Sequence, residues 1–126
     1  MFVYYINVPL NAAGITEFEN YDDEMQNVKT YELTKDEYDS LRASGKLFQK
    51  FDEAFGIIID VCEEERILNE DLSRAIEICE KFLKKNLTKD ELMGTKKIID
   101  ALQLAFDSGT FCEIDIYLEW KIEYVK

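Results

Sequence analysis

Hydrophobic and polar residues alternate one by one near the C-terminal end of the chain. Between Cys112 and Tyr124 every second residue is apolar, and most residues between them are charged. A period of two predicts a long β-strand with one face in the core and the other in water. Residues 2–8 are an aromatic and β-branched run that ends at Pro9, which predicts an N-terminal strand. Residues 28–33 predict a shorter strand.

In the middle of the chain the apolar residues are spaced by three and four, which predicts helices. Three helices have a clear beginning, because a residue that can cap a helix stands before each of them. The capping residues are Thr34 with Glu37, Asn69, and Thr88 with Glu91, and the predicted helices end at Gly45, Lys85 and Gly109. Gly94, inside the last of these helices, predicts a close approach of another backbone.

Three segments are less clear. Residues 11–26 are polar and contain five acids without a base between Glu17 and Glu24, so they are interpreted as a loop, with or without a short strand. Residues 46–55 have apolar residues at helical spacing. Residues 56–61 fit either a buried strand or a continuation of that helix, and the pattern does not separate the two.

Strands at both ends with helices between them predict an α+β fold. We expect one mainly antiparallel sheet that includes the N- and C-terminal strands, with three or four helices packed on one face. No sequence repeat and no linker rich in proline, glycine or serine interrupts the 126 residues. Residues 1–126 are therefore predicted to form a single domain.

Charge and cysteine content indicate the cellular compartment in which the protein is expected to function. The chain has 15 basic and 27 acidic residues and no histidine, which gives a net charge of −12. Its three cysteines, Cys62, Cys79 and Cys112, form no paired motif and are interpreted as reduced thiols in the core. No basic leader precedes the first strand and no apolar stretch is long enough for a bilayer. We therefore expect a cytoplasmic protein that binds no membrane.

Catalytic and cofactor motifs are lacking. Without histidine, the Ser/His and Cys/His arrangements of nucleophilic catalysis cannot form. The cysteines lack zinc-ligand spacing, residues 60–71 fail the calcium-loop pattern, and no glycine-rich phosphate loop is present. The run from Glu63 to Glu65 is interpreted as solvated surface. We therefore predict a protein that is not an enzyme and holds no metal or cofactor.

Two acidic stretches contain aromatic residues and could bind a basic protein. The first is the segment from Glu17 to Glu24, in which Phe18 and Tyr21 stand between carboxylates. The second is the polar face of the last strand. Its candidate residues are Glu113, Asp115, Tyr117, Glu119 and Glu123. At an interface, rings anchor a partner while carboxylates steer it.

One segment leads into the predicted helix that is capped by Asn69. Its characteristic residues are Phe51, Asp52, Phe55, Gly56, Asp60, Glu63 and Ile67. It is similar to stretches in immunity proteins of bacterial toxin systems, which are small, acidic and cytoplasmic. The similarity covers about a fifth of the chain. It implies tight, stoichiometric inhibition of a basic toxin, such as a nuclease. It assigns no individual binding residue, because these residues vary with the toxin.

Other functions fit the same composition. An acidic chain can act as a DNA mimic that occupies a nucleic-acid-binding protein, an orphan enzyme can use carboxylates, and surface acids can serve solubility alone. Direct binding of nucleic acid is not expected, because the overall charge repels phosphates. The six lysines between Lys81 and Lys97 are interpreted as solvated helix ends. The oligomeric state is left open.

Overall fold

The computed structural model describes residues 1–119, and these residues form a four-stranded antiparallel sheet with five α-helices. The predicted α+β fold is confirmed. The strands are β1 (Phe2–Pro9), β2 (Val28–Leu33), β3 (Glu64–Ile67) and β4 (Cys112–Leu118), in the order β2-β1-β4-β3. The helices are α1 (Ala12–Glu19), α2 (Lys35–Arg42), α3 (Leu47–Phe55), α4 (Leu72–Leu83) and α5 (Lys89–Ser108).

The N- and C-terminal strands lie side by side at the centre of the sheet. In their antiparallel register Ile6 lies opposite Ile114, and Asn7 lies opposite Glu113. Residues that lie opposite each other share a face, and successive residues alternate between faces. One face of this central pair is therefore apolar, while the other carries Asn7, Glu113 and their polar neighbours.

Helices α2 to α5 contribute to the core against the apolar face. Phe48, Phe51 and Phe82 are fully buried there, and Tyr38 stacks on Tyr4 of β1 with ring centroids 4.5 Å apart. Burying one large apolar side chain stabilises a fold by roughly 1.5–3 kcal/mol.

Both predicted capping boxes are present. The side chain of Thr34 accepts from the backbone N–H of Glu37, and that of Thr88 accepts from the N–H of Glu91. In return, Glu37 and Glu91 accept from the backbone N–H of the threonines. Gly94 lies against the side chain of Leu41 so closely that a β-carbon there would be 2.8 Å from its Cδ1 atom. The prediction that another backbone approaches Gly94 is therefore wrong, because the closest atoms belong to the side chains of Leu41 and Glu37 in α2.

The main difference from the expected fold lies between residues 11 and 26. The prediction of a loop there is wrong, because Ala12–Glu19 form α1, whose N-terminus is capped when the Asn11 side chain accepts from Gly14 N–H. Helix α1 contains apolar residues, among them Ile15 and Phe18, but they are not concentrated on one face and do not join the core cluster, so the sequence shows no strong helical period. Gly14 packs directly against the carbonyl of Asn27, where a β-carbon would overlap with the oxygen.

Three smaller expectations also differ. Residues 57–60 form neither strand nor helix, and α3 ends at Gly56, which adopts a left-handed conformation. Asn69 makes no capping hydrogen bond but donates from its side chain to the Thr110 carbonyl at 3.0 Å. Cys62 is exposed, whereas Cys79 and Cys112 are buried as expected.

Strand β4 ends at Leu118, and the predicted strand residues Trp120, Ile122 and Tyr124 lie outside the described residues.

Candidate functional site: an acidic cup on the polar face of the sheet

The polar face of the sheet is the floor of a concave surface with a volume of about 400 Å³. Strands β1 and β4 provide its centre, and the segment that follows α1 provides a wall. We call this surface the acidic cup. Its lining residues are Tyr5, Asn7, Phe18, Tyr21, Met25, Thr30, Glu64, Glu113, Asp115 and Tyr117.

Local contacts hold the wall in place. The Glu17 carboxylate accepts hydrogen bonds from the backbone N–H and the side-chain amide of Asn27, at 2.9 and 3.1 Å. Leu10 N–H donates to the Asn27 carbonyl at 2.8 Å, and the Phe18 ring lies 6.2 Å from that of Phe111. These contacts fix the two ends of the segment that carries Tyr21 and Met25.

A chain of hydrogen bonds crosses the floor of the cup. The Thr30 hydroxyl donates to Asn7 Oδ1 at 2.6 Å, and Asn7 Nδ2 donates to Asp115 Oδ2 at 2.7 Å. The other carboxylate oxygen, Asp115 Oδ1, is buried and has no hydrogen-bond partner among the described residues. A buried polar atom without a partner is costly and rare in folded proteins. The floor therefore has one oxygen available for a cation or a donor from outside.

Glu113 is neutralised by Arg66 of the edge strand β3. The guanidinium Nε and Nη2 atoms both lie 3.0 Å from Glu113 Oε1. Arg66 also lies over the Phe111 ring, 3.9 Å from its centroid, and its Nη1 is 3.7 Å from Glu19 on α1. Arg66 therefore links β3, β4 and α1 at one side of the cup.

The electrostatics of the floor favour a proton on Asp115. Burial is the largest cause that raises the pKa of Asp115, and the nearby charges of Glu113 and Glu64 raise it further, while the Asn7 amide opposes the rise. Asp115 is therefore harder to ionise than an exposed carboxyl group, and a cation at the floor would favour its ionised form.

Tyrosine rings and further acids form the rim. Tyr117 is 43% exposed and meets Tyr5 edge to face, with ring centroids 5.8 Å apart. The Tyr5 hydroxyl donates to the exposed carboxylate of Glu119 at 3.4 Å. Tyr21 is 78% exposed and has a positive φ of 53°.

The structure brings together the two stretches that the sequence suggested separately. Phe18 and Tyr21 from the first stretch and Glu113, Asp115 and Tyr117 from the second all line the cup. Glu119 lies at the rim beside Tyr5, whereas Glu123 lies outside the described residues. The expectation that Glu113 and Asp115 lie on an open face in water is wrong, because both are buried by neighbouring strands and by the α1 segment.

Sequence reasoning missed six residues of this region: Tyr5, Asn7, Met25, Thr30, Glu64 and Arg66. The sequence pattern could have indicated Asn7, because it is a polar residue within the otherwise aromatic and aliphatic run of β1. Glu64 and Arg66 belong to β3, a strand of four residues that no pattern indicated. Glu64 is exposed as expected, but it lines the cup rather than a featureless surface.

A second concave surface of about 460 Å³ lies between α3 and α4 and has the opposite charge. Lys50, Arg74, Lys81 and Lys85 line it together with Glu53. The charge of Lys50 lowers the pKa of Lys85. Three of these four cations are exposed, and within residues 1–119 no buried hydrogen-bond network contacts them, in contrast to the floor of the cup. The cup is therefore the better candidate for specific recognition.

No family model, no curated protein and no solved structure matches the chain. Within residues 1–119, no helix combines the length and the apolar character that crossing a membrane requires. The candidate site is thus defined by its own geometry. Its floor carries carboxylates and aromatic rings lie around them, so the site can attract positively charged groups.

Proposed function

We propose that the chain is a cytoplasmic binding protein that uses the acidic cup and its rim to bind a basic protein. One observation carries this proposal. Two acidic, aromatic segments that are about 90 residues apart in sequence meet in a single concave surface, and a buried carboxylate oxygen without a partner lies at its floor.

The cup suits a lysine or arginine side chain of the partner. Such a side chain has an apolar stem and a cationic end, and Tyr5, Tyr117 and Met25 offer apolar contacts for the stem. The charged end would meet carboxylates on the floor, and a cation over an aromatic face gains roughly 0.5–2 kcal/mol. The net charge of the whole chain is −12, and this charge favours rapid encounter with a basic partner.

An immunity-type inhibitor is the form of this function that we favour. The sequence resemblance points to that class, and a recessed site with several rigid aromatic residues suits tight binding of one partner. A DNA mimic, by contrast, needs carboxylates spaced along an extended flank. Here the aromatic residues and acids converge on one cup, which favours a single cognate partner over several DNA-binding proteins.

Charge reversal at the rim tests the proposal. A candidate partner can be found by affinity capture. It can also be the basic C-terminal domain of a secreted protein that is encoded next to this chain, and in that case co-expression of this chain should relieve the toxicity of that domain. The purified pair is then studied by surface plasmon resonance. The double variant Glu24→Lys with Glu119→Lys should associate about tenfold more slowly, with a weaker dependence on ionic strength. Both acids are exposed and adjoin lining residues of the cup, since Glu24 precedes Met25 in the chain and Glu119 accepts a hydrogen bond from Tyr5.

A matched control separates the cup from the overall charge. Glu77→Lys with Glu80→Lys alters the net charge by the same amount, but these exposed acids lie on α4, in the helical layer. This control should slow association much less than the rim variant does. Equal slowing by both variants would mean that only the overall charge matters, and the proposal would then be wrong.

A further inference from the structure

Three carboxylates meet on the floor of the cup. Glu64 of β3 lies opposite Asp115 of β4 in the antiparallel register, and Glu113 is two residues away from Asp115 on the same strand. All three therefore share one face of the sheet. One carboxylate oxygen from each residue can be chosen so that all three lie within 4.8 Å of one another.

Acidic clusters are common on protein surfaces, but this one has an additional feature. The Asp115 residue is only 7% exposed, and its Oδ1 atom has no hydrogen-bond partner within residues 1–119. Its second oxygen, Oδ2, is held by the Asn7 amide, whose own oxygen is held by Thr30. The carboxylate is thus fixed in orientation with one oxygen free, which is the arrangement of a metal ligand supported by neighbouring hydrogen bonds.

The charges of the cluster are not balanced by the protein. Among residues 1–119, Arg66 is the cation that contacts the cluster, through Glu113. With all three carboxylates ionised, three negative charges and one positive charge leave a charge of −2. Glu64 is exposed, but Glu113 and Asp115 are buried, and burying uncompensated charge is costly, so a divalent cation would stabilise the ionised cluster.

We propose that Glu64, Glu113 and Asp115 form a binding site for a divalent cation of the calcium type. Carboxylate oxygens are the ligands that Ca²⁺ and Mg²⁺ prefer, whereas zinc favours nitrogen and sulfur, and the chain has no histidine. Ca²⁺ accepts a flexible set of oxygens at about 2.4 Å, whereas Mg²⁺ requires a stricter octahedral geometry at about 2.1 Å. A cluster of three side-chain carboxylates, one of them exposed, suits the more flexible ion, and calcium is therefore assigned.

This inference concerns the same floor as the proposed function, because a bound Ca²⁺ would occupy the oxygen that a partner's cation would otherwise meet. It is tested without a partner, so its failure is distinct from a failure of partner binding. After treatment with a chelator and dialysis, the chain is titrated with CaCl₂ and, separately, with MgCl₂ by isothermal titration calorimetry. We expect one Ca²⁺ per chain and weaker binding of Mg²⁺. Saturating Ca²⁺ should also raise the melting temperature, because a ligand that binds only the folded state stabilises it.

Three variants make the test specific. Asp115→Asn and Glu64→Gln should each weaken Ca²⁺ binding about tenfold or more, because each removes a charged ligand. Glu64 is exposed, so Glu64→Gln leaves the fold intact even if Asp115→Asn alters it. The control Asp22→Asn removes one exposed carboxylate from the nearby loop and should bind Ca²⁺ like the wild type.

Absence of saturable Ca²⁺ binding at millimolar concentrations would overturn the proposal. Equal loss of affinity in Glu64→Gln and Asp22→Asn would also overturn it, because only diffuse attraction by surface acids would then be present. Tighter binding of Mg²⁺ than of Ca²⁺ would contradict the assignment of the ion.

Discussion

The Arg66→Met variant is expected to unfold with a free energy about 3 kcal/mol below that of the wild type. Removing one partner of a buried ion pair costs about 3–5 kcal/mol, because the other charge stays buried without compensation. The side chain of Glu113 is 11% exposed and that of Arg66 is 34% exposed, so a value at the lower end applies. Methionine can still cover the Phe111 ring, so the lost positive charge is the main cause of the lower free energy of unfolding.

Denaturant unfolding of four proteins tests this expectation. The double variant Arg66→Met with Glu113→Gln should recover most of the lost stability, because the buried charge is then removed as well. Arg42→Met is the matched control, since Arg42 pairs with Asp52 at 3.0 Å in a similarly buried position among the helices. Asp52 keeps a hydrogen bond from Ile59 N–H, so this control should lose less stability. A loss in Arg66→Met that Glu113→Gln does not relieve would contradict the account of the floor.

Removing the Tyr117 ring is expected to have the largest effect on partner binding. Truncating a central aromatic residue of an interface costs about 2 kcal/mol or more, which corresponds to roughly 30-fold faster dissociation. Tyr117 suits this central role, because it is half-exposed, packs against Tyr5 and stands between the floor and Glu119. The expected result for Tyr117→Ala is a higher dissociation rate with little change in the association rate.

Phe106→Ala provides the control for this measurement. Phe106 is an aromatic residue with a similar exposure of 50%, but it lies on α5 in the helical layer. Its truncation should leave dissociation unchanged. If Tyr117→Ala dissociates like the wild type, Tyr117 is not the anchor, and Phe18→Ala and Tyr21→Ala then test the other aromatic residues of the cup.

Much of the fold could be predicted, because strong local patterns determine it. Residues 2–8 and the alternation that starts at Cys112 led to β1 and β4, and the capping pairs at Thr34 and Thr88 located the starts of α2 and α5. In each case neighbouring residues of one element carry the information. Local signals of this kind can be read without knowledge of the partner elements.

The site could be predicted only in part, because its shape depends on contacts between distant segments. The alternation in β4 correctly placed Glu113 and Asp115 on the face opposite Ile114, but it could not show that residues 18–25 and Arg66 would cover that face. Helix α1 is short, its apolar residues do not line one face, and it is held by contacts with distant residues, such as Gly14 against Asn27. Strand β3 forms because it pairs with β4, and its own sequence is strongly acidic.

Docking of a basic partner in the acidic cup can be observed residue by residue in a nuclear magnetic resonance titration. The isotope-labelled chain is titrated with the unlabelled partner, and the chemical shift change of each residue is followed. We expect the largest changes at Tyr21, Tyr117 and the side-chain amide of Asn7, with little change on the helical layer around Glu77 and Phe106. Changes confined to that helical layer, with the cup residues unaffected, would contradict docking in the cup.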